Sequence, residues 1–543
     1  MKNVLIIGSG LSGLTCAIKL AQKGIKCKLV SPYPSERAQS VMAAGGINAA
    51  IGKDDSVDLH VKDTFDGGCK IANIEAIKEL CGQAPEIIEW LESMDTVFSR
   101  DKNDQVDLRA FGGQSKNRTA YAGACTGKQI MTSLINEARK HEGNGMITRK
   151  FGVYFHSALV DNGVCYGAVL YNDITRKIEA EYADAVVVAS GGQNALFGKT
   201  TGSTLCDGYV AGKLFMQGAK LKNLEFIQYH PTTIETSHKR MLISEAARGE
   251  GGRLYYLQGD KRVYFLEDIY GPKGNLMPRD IVSKHIYDAP SQVYLDIAFL
   301  GKDLIDRRLS EIKELCQKYM GIDVAKQSIP VYPSVHFFMG GLAVDKNHKT
   351  NVDRLYAVGE CACQYHGANR LGGNSLLAAI KSGFTASSAI ELIKKADNIP
   401  DFSGYISKQQ QGLQNSLESK SKFSAFYIRH EIAKIMDDSL GITRSESKLV
   451  KGIEDVDYYV KICDQLSFDS DVSYYVSYSL KPLLILAKAI LLCALERRES
   501  RGAHIRTDYP EQKEDFCKAS HVMYANGLYS ISFEKEQSYV GAN

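Results

Sequence analysis

The thirteen cysteines of this 543-residue chain form no paired framework. Their number is odd and no CxxC series occurs, which argues against a disulfide scaffold, iron–sulfur ligands or a structural zinc site. We expect free thiols in a reducing compartment and no metal held by this chain.

The chain also has no large excess of charge of one sign and no long apolar run. A net charge of +3 gives no electrostatic reason to expect nucleic acid or an acidic membrane surface as a partner. The most apolar late stretch, Leu483 to Leu495, contains Lys488 and is too short to span a bilayer. The first residues do not look like a signal peptide. The sequence therefore predicts a cytoplasmic chain without a direct membrane span, long enough for two to four domains.

The N-terminal segment has the pattern of a dinucleotide-binding fold. An apolar run over residues 4–7 has strand length, a helical segment follows to about residue 22, and a second apolar run covers residues 27–30. The turn between the first strand and the helix reads Gly8-Ser9-Gly10-Leu11-Ser12-Gly13, which fits GxGxxG. We therefore predict a Rossmann-like domain that binds a dinucleotide.

Each position of this turn has a predicted role. Gly8 permits the tight turn, Gly10 lets a pyrophosphate approach the backbone, and Gly13 lets the helix pack on the strand. The helix start at Leu11 faces the phosphates. Ser31 ends the second strand where a ribose-binding acid is usual, which argues against an NAD-dependent enzyme.

Four later segments combine histidine or arginine with glycine, proline and asparagine. They are Gln228–Thr232, Met277–Asp280, His336–Gly341 and His366–Ser375. Together with the N-terminal fingerprint they resemble the flavoprotein subunits of fumarate reductase and succinate dehydrogenase. The resemblance runs from Met1 to about Pro510. L-aspartate oxidase belongs to the same superfamily and is the nearest alternative.

The resemblance implies an α/β fold in three parts. A Rossmann-like FAD-binding domain would comprise residues 1–222 and 336–400, an inserted α+β capping domain residues 223–335, and a helical C-terminal domain and tail residues 401–543. Glycine turns after the apolar runs Ala185–Val188 and Leu355–Ala357 would return the chain to the flavin domain. The segment Glu499–His504 matches the family's C-terminal signature.

The resemblance also implies how FAD is held. The segment from Ser40 to Ile47 is close to the family loop around the isoalloxazine ring, although Ala44 replaces a glutamine. Gln39 stands where many relatives have the histidine that bonds covalently to the flavin, so FAD should be noncovalent. Because covalent attachment generally raises the flavin potential, its absence favours fumarate reduction over succinate oxidation.

Further cofactor contacts follow from the same resemblance. Asp207 lies in a turn similar to the family's TGDG, and Glu360 would bond the ribityl chain or the ribose. Ser375 and Leu376 would lie where a helix N-terminus faces the flavin O2 and N1 edge; a plain helix cap is the alternative for Ser375. The other implied contacts are Ser40, Gly45, Gly46, Ala189 and Gly191.

Reduction of a carbon–carbon double bond between two carboxylates needs a grip on each carboxylate, hydride at one face and a proton at the other. Arg370 offers a planar fork for one carboxylate, and His336 can bond the same end. His230 and Ser244 would bond the other end. His285 lacks the family context and is interpreted as structural.

The resemblance makes Arg279 the proton donor. Arginine is a poor acid in water, but the developing carbanion is itself very basic, and a dry site can place a second cation nearby. Glu245 and Arg248, at a spacing of three, share one helical face and would deliver protons to Arg279. The alternative is a surface salt bridge between Glu245 and Arg248.

The identity of the unsaturated acid stays open. Phe111–Ser115 resembles the family's FGGxS loop, whose aromatic ring packs against the substrate, and this favours fumarate reductase over L-aspartate oxidase. The later AD-x-TG segment appears as Ala124–Gly127 without its acid. A non-enzymatic flavin-binding module would have no reason to keep two carboxylate clamps. The expected partners are a small dicarboxylate and an electron donor, either an iron–sulfur subunit or another donor; a partner subunit would also provide any attachment to a membrane.

Overall fold

The computed structural model describes residues 2–123, 125–236, 240–418, 424–463 and 474–536. Two parts of the sequence discussed above lie outside these residues. They are Ala124, in the segment that lacks the acid of AD-x-TG, and residues 537–543 of the predicted tail. The domain boundaries given above stay a prediction.

A five-stranded parallel sheet forms the centre of the first domain. The strands Asn3–Ile7, Ala185–Val188 and Leu355–Ala357 are almost entirely apolar and buried, as is usual where both faces of a parallel sheet are covered. In spatial order the five strands are Leu355–Ala357, Ala185–Val188, Asn3–Ile7, Lys26–Ser31 and Ile147–Phe151. The helices of this part are Leu11–Gln22, Val57–Gly67, Ile74–Gly82, Ala84–Glu92, Thr126–Gly143, Tyr209–Met216 and Asn374–Leu392. Since the strands are parallel, the three glycine turns that follow residues 7, 188 and 357 meet at one edge of the sheet.

Two small antiparallel sheets complete this part of the fold. One consists of Val153–Asp161, Val164–Asn172 and Lys177–Tyr182. The other consists of Ile47–Asn48, Thr119–Ala120 and Leu108–Arg109, and it brings the 45–48 loop next to the 108–120 loop.

The inserted region begins and ends in one antiparallel ribbon. Ile227–Glu235 pairs with Tyr332–Phe338, with His230 opposite Ser334, and also with Arg240–Leu242. A second sheet is ordered Lys261–Val263, Arg253–Gln258, Val293–Asp296 and Ile329–Pro330. The helices are Ala246–Gly249, Phe265–Tyr270, Arg279–Asp288, Lys302–Arg308 and Ser310–Met320. Most of its buried apolar side chains form a core of their own, drawn almost wholly from residues 234–331.

The C-terminal part is helical, except at its end. Its helices are Ser403–Glu418, Ala425–Ser439, Glu446–Cys463, Tyr474–Tyr478 and Leu480–Glu496. The predicted tail instead forms a hairpin of Ala519–Ala525 and Leu528–Glu534. This hairpin completes a sheet ordered Ala362–Cys363, Gly341–Ala343, Leu221–Lys222, Ala519–Ala525 and Leu528–Glu534. This hairpin is therefore anchored in the first domain.

The stretch Tyr474–Glu496 is long and apolar enough, by length and composition, to cross a membrane. It is longer than Leu483–Leu495, the stretch considered in the sequence analysis. The prediction that this region is too short to span a bilayer was therefore wrong. However, 72% of its most apolar window is buried inside the fold. It packs on Glu446–Cys463 and Tyr209–Met216, which gives its apolar composition the explanation of a core helix.

Candidate active site

One continuous cavity of about 540 Å³ extends from the first glycine turn to the ribbon of the inserted region. This volume lies in the ordinary range for ligand pockets. Every sequence-predicted site residue lines it except Gly13 and Arg248. Apart from these two, the structure thus brings the predicted cofactor residues and the predicted substrate and catalytic residues to one cavity.

The glycine turn fits a dinucleotide. Gly8 has φ +117°, and a Cβ there would lie 2.2 Å from the Ala189 carbonyl oxygen. A Cβ at Gly13 would lie 2.2 Å from the Gly8 carbonyl oxygen, so the helix packs on the turn as predicted. At Gly10 the nearest protein atom, Ser40 Oγ, would be 3.6 Å away, which leaves room for phosphate at the helix start. These residues fit FAD.

Gln39 is engaged in a hydrogen bond within the flavin loop. Its Oε1 accepts from the Ser203 backbone N–H at 2.7 Å, which ties Gln39–Met42 to the loop that carries Thr201. Phe111 lies in the cavity wall against Gly45, where a Cβ would lie 3.0 Å from its ring. The loop is therefore shaped by Gln39 and Phe111 together.

Two acids lie at the cofactor end. Asp207 Oδ2 accepts from the Tyr475 hydroxyl at 2.6 Å and lies 3.4 Å from Arg429, two C-terminal residues that the sequence analysis missed. Glu360 Oε1 accepts from the Phe338 backbone N–H at 3.1 Å. Burial raises the pKa of Glu360 to about 7.

The helix Asn374–Leu392 begins at the cavity wall. Its N-cap is Gly373, and no side chain caps it, so the alternative of Ser375 as the helix cap is wrong. Ser375 and Leu376 stand in its first turn and line the cavity, where backbone N–H groups favour negative charge.

Glu245 lies between two guanidinium groups. Arg279 donates to Glu245 Oε2 through Nη2 at 2.7 Å and through Nε at 2.9 Å. Glu245 Oε1 lies 3.1 Å from Arg248 Nη2 and accepts from the Gly112 backbone N–H at 2.9 Å. Burial opposes ionisation of Glu245, but Arg279 and Arg248 outweigh it and lower its pKa to about 2. Because the Arg248 and Glu245 side chains are at most 1% exposed, the alternative of a surface salt bridge is wrong.

Gln228 joins the two arginines that face the cavity, and the sequence analysis missed it. Its Oε1 accepts from Arg279 Nη1 and from Arg370 Nη2, each at 3.0 Å. Its Nε2 donates to Asn369 Oδ1 and to the Arg370 carbonyl oxygen, each at 2.7 Å. A signal existed, since Gln228 precedes His230 by two positions on a strand and so shares its face. We call Arg248, Glu245, Arg279, Gln228 and Arg370 the arginine array.

Arg370 lines the cavity and has an unpaired donor. Its guanidinium lies 4.3 Å from the centre of the Phe337 ring, and its Nε has no hydrogen-bond partner among the described residues. Burial, and next the charge of Arg279, hold its pKa well below the usual arginine range. An anion that accepts hydrogen bonds from this guanidinium would stabilise its charged form.

The two predicted histidines face each other across the ribbon. The ring centroids of His230 and His336 are 5.1 Å apart at 64°. His336 Nδ1 bonds Thr201 Oγ1 at 2.8 Å, and His230 Nδ1 lies 3.1 Å from the Thr232 carbonyl oxygen. Burial, and next the charge of Arg279, hold both pKa values well below the usual histidine range, so both rings are neutral.

The structure also shows where Ser244 and His285 lie. Ser244 lines the cavity, and its Oγ accepts from the Ala246 backbone N–H at 3.3 Å. His285 lies outside the cavity lining and bonds the Tyr270 hydroxyl at 3.0 Å.

The comparisons with known proteins identify the family of this chain. The model of an FAD binding domain matches residues 3–376, and the model of the fumarate reductase flavoprotein C-terminus matches residues 429–539. The chain is 36% identical to the succinate dehydrogenase flavoprotein subunit of Bacillus subtilis, over 98% of this chain and 95% of that one. It is 31% identical to the L-aspartate oxidase of Yersinia pestis, over 95% and 97%. A chain of Escherichia coli quinol fumarate reductase superposes with a TM-score of 0.89 at 29% identity, over 98% and 96%.

Proposed function

Because this chain belongs to the FAD-binding flavoprotein family of succinate dehydrogenase and fumarate reductase, we propose that it reduces fumarate, or a closely related unsaturated carboxylate, to the saturated acid. The observation that carries this proposal is the arginine array. It holds three guanidinium groups and one carboxylate, so the array itself has two positive charges in excess. That excess matches the charge of a dicarboxylate.

The substrate would be gripped at both ends. Arg370 presents a planar fork to one carboxylate, and His336 bonds the same end. His230 and Ser244 bond the other carboxylate. Both histidines are neutral, so each has a single N–H. That proton is on Nε2 and can be donated to a carboxylate when Nδ1 accepts, from the Thr232 backbone N–H at 3.2 Å in His230 and from the Thr201 hydroxyl at 2.8 Å in His336. Neither ring then adds charge beyond what a dicarboxylate balances.

The chemistry that FAD supplies when bound is hydride transfer from its N5 to one alkene carbon. Arg279 donates a proton to the other carbon, so hydride and proton together convert the double bond to a single bond. The carbanion that develops there is far more basic than water, and burial of Arg279 excludes competing solvent.

Glu245 and Arg248 would return a proton to Arg279. At rest Glu245 is ionised because two guanidinium groups flank it. When Arg279 has given its proton away, one of these two cations is gone, and the pKa of Glu245 must rise. Glu245 then accepts a proton from Arg248 and passes it to Arg279. The array returns to its starting charge once Arg248 has taken up a proton from solvent. The relay therefore operates only after the substrate has been protonated.

The charge of the array supports a dicarboxylate over L-aspartate. The ammonium group of L-aspartate would enter a site beside two excess positive charges, and the carboxylate of the array, Glu245, already pairs with two arginines. Like charges brought together in a buried site destabilise the complex. L-aspartate oxidation is therefore the second candidate, favoured by sequence similarity and opposed by this charge.

Cofactor attachment and electron supply are parts of the same proposal. Gln39 offers no nucleophilic nitrogen, so FAD is held without a covalent bond, which favours the reductive direction. Among the described residues, no group of histidine, cysteine and acidic side chains could hold a metal. Electrons would therefore arrive from a partner, either an iron–sulfur subunit or another donor. Burial of Tyr474–Glu496 supports attachment to a membrane only through partner subunits.

The test is anaerobic reoxidation of the reduced holoenzyme. Fumarate should restore the oxidised flavin spectrum much faster than L-aspartate bleaches the oxidised enzyme. Other enoates assayed alongside define the acid. Rapid hydrogen peroxide production from L-aspartate in air, with no response to fumarate, would reverse the choice.

A further inference from the structure

The segment Glu499–His504 takes no part in the proposed chemistry, yet it contacts the loop that carries Arg370. The Ala503 backbone N–H donates to the Ala368 carbonyl oxygen at 3.0 Å. At Gly502, with φ +54°, a Cβ would lie 2.7 Å from that same oxygen. We propose that this segment is a positioning element that sets Arg370 through Ala368, two residues before it. The inference rests on the proposed role of Arg370 in binding a carboxylate.

The segment also contacts the turn that holds the Ala368 N–H. The Ala368 backbone N–H donates to the Gly68 carbonyl oxygen at 2.9 Å. Arg501 Nη1 donates to the carbonyl oxygen of the next residue, Cys69, at 3.4 Å. Arg501–Ala503 therefore bonds Ala368 directly and also bonds the turn to which Ala368 is anchored.

Side-chain packing also connects Ala503 to Arg370. Ala503, Ala368 and Phe337 belong to one small buried apolar cluster. The Phe337 ring lies under the Arg370 guanidinium at 4.3 Å. A displaced Ala503 would thus shift both the loop that carries Arg370 and the ring on which its guanidinium rests.

The positioning segment is itself rigid. Arg501 donates to both Glu499 oxygens, through Nε at 2.7 Å and Nη2 at 2.9 Å, and Arg497 donates to Glu499 at 3.0 Å. The backbones of Arg501 and His504 bond each other in both directions, at 2.7 and 3.0 Å. His504 Nδ1 lies 2.7 Å from Arg444 Nη1. Buried charge-assisted bonds of this kind fix geometry more strongly than neutral ones.

Gly502→Ala and Gly527→Ala form a matched pair for the test. Gly527, at the turn of the terminal hairpin, has φ +83° and nothing within 4 Å of its Cβ position. Both alanines bear the strain of a positive φ, but only the one at 502 pushes on the Ala368 oxygen. The measurements on each holoenzyme are FAD content, thermal midpoint, malonate binding from flavin absorbance, and fumarate kinetics.

Gly502→Ala should retain FAD, weaken malonate binding and raise the KM for fumarate roughly tenfold or more, the effect of losing one charge-assisted hydrogen bond. The kcat should fall less, because Arg279 is untouched. Gly527→Ala should keep the wild-type KM. Arg501→Lys keeps the charge but loses the planar fork on Glu499, and it should raise the KM in the same direction.

The outcomes separate this inference from the proposed function. If the wild-type enzyme binds no dicarboxylate, both fail together. If it binds malonate, and Gly502→Ala lowers the thermal midpoint while leaving affinity unchanged, the segment is structural only. Equal weakening by Gly502→Ala and Gly527→Ala would also overturn positioning. Should Gly502→Ala not fold, Arg501→Lys decides: an unchanged KM overturns the inference, and a raised KM supports it.

Discussion

Replacing Arg279 by glutamine separates proton delivery from substrate binding. Arg279 makes three hydrogen bonds to Glu245 and Gln228, and none of these bonds involves the glycine turn that fits FAD. Arg279→Gln should therefore bind FAD normally. Since Arg370, His336 and His230 remain, it should also bind a dicarboxylate. Turnover should fall by about 100- to 10,000-fold, as is typical when a general acid is lost.

Arg370→Gln is the matched comparison. It removes at least one charged hydrogen bond to the substrate, which contributes roughly 1.5–3 kcal/mol, so affinity should fall at least about tenfold along with the rate. The assay is rapid mixing of anaerobically reduced enzyme with increasing fumarate. The limiting rate of flavin reoxidation reports the chemical step, and the half-saturating concentration reports binding. If Arg279→Gln kept a near-normal limiting rate with only weaker binding, Arg279 would be a clamp, and the proton would come from a histidine or water.

Three further predictions follow from individual side chains. With Gln39 at the attachment position, acid precipitation should release all flavin into the supernatant, and yellow colour in the pellet would contradict noncovalent binding. Gln228→Glu removes one excess positive charge from the array, so the affinity for fumarate should fall roughly tenfold more than that for the monocarboxylate crotonate; equal losses would indicate distortion alone. Glu360, whose folded pKa of about 7 lies above its unfolded value of about 4.3, stabilises the FAD-free protein at low pH and loses that contribution as pH rises through 7. Glu360→Gln should therefore flatten the dependence of the thermal midpoint between pH 4 and 8, and an unchanged dependence would rule out titration of Glu360.

Much of the fold could be predicted because buried parallel strands are recognisable in a sequence as continuous apolar runs that end at glycine. The family, the fold class and the FAD-binding domain are confirmed. The terminal hairpin could not be predicted in the same way. Its strand Ala519–Ala525 pairs with Leu221–Lys222, and no local pattern reveals a partner so far away in the sequence.

Some residues of the site could be predicted from the sequence and others could not. The sequence pointed to charged and glycine residues, because a dicarboxylate and a dinucleotide require those residue types. It missed Gln228, Asp280 and Asn369, although each lies inside a segment that had drawn attention. Their importance lies in a closed set of contacts: Gln228 bonds Asn369, and Asn369 Nδ2 donates to Asp280 at 2.8 Å, next to Arg279. Such contacts join separate segments and become visible only in three dimensions.

The ribbon at the base of the inserted region supports three site residues at once. His230 and His336 lie on its paired strands Ile227–Glu235 and Tyr332–Phe338. The helix Arg279–Asp288 packs on the same ribbon, where Ser283 Oγ donates to the Tyr229 carbonyl oxygen at 3.3 Å. Any displacement of the ribbon relative to the first domain would therefore carry both histidines and Arg279 together, and would change their distance from Arg370. A dicarboxylate held between Arg370 and His230 would oppose such a displacement.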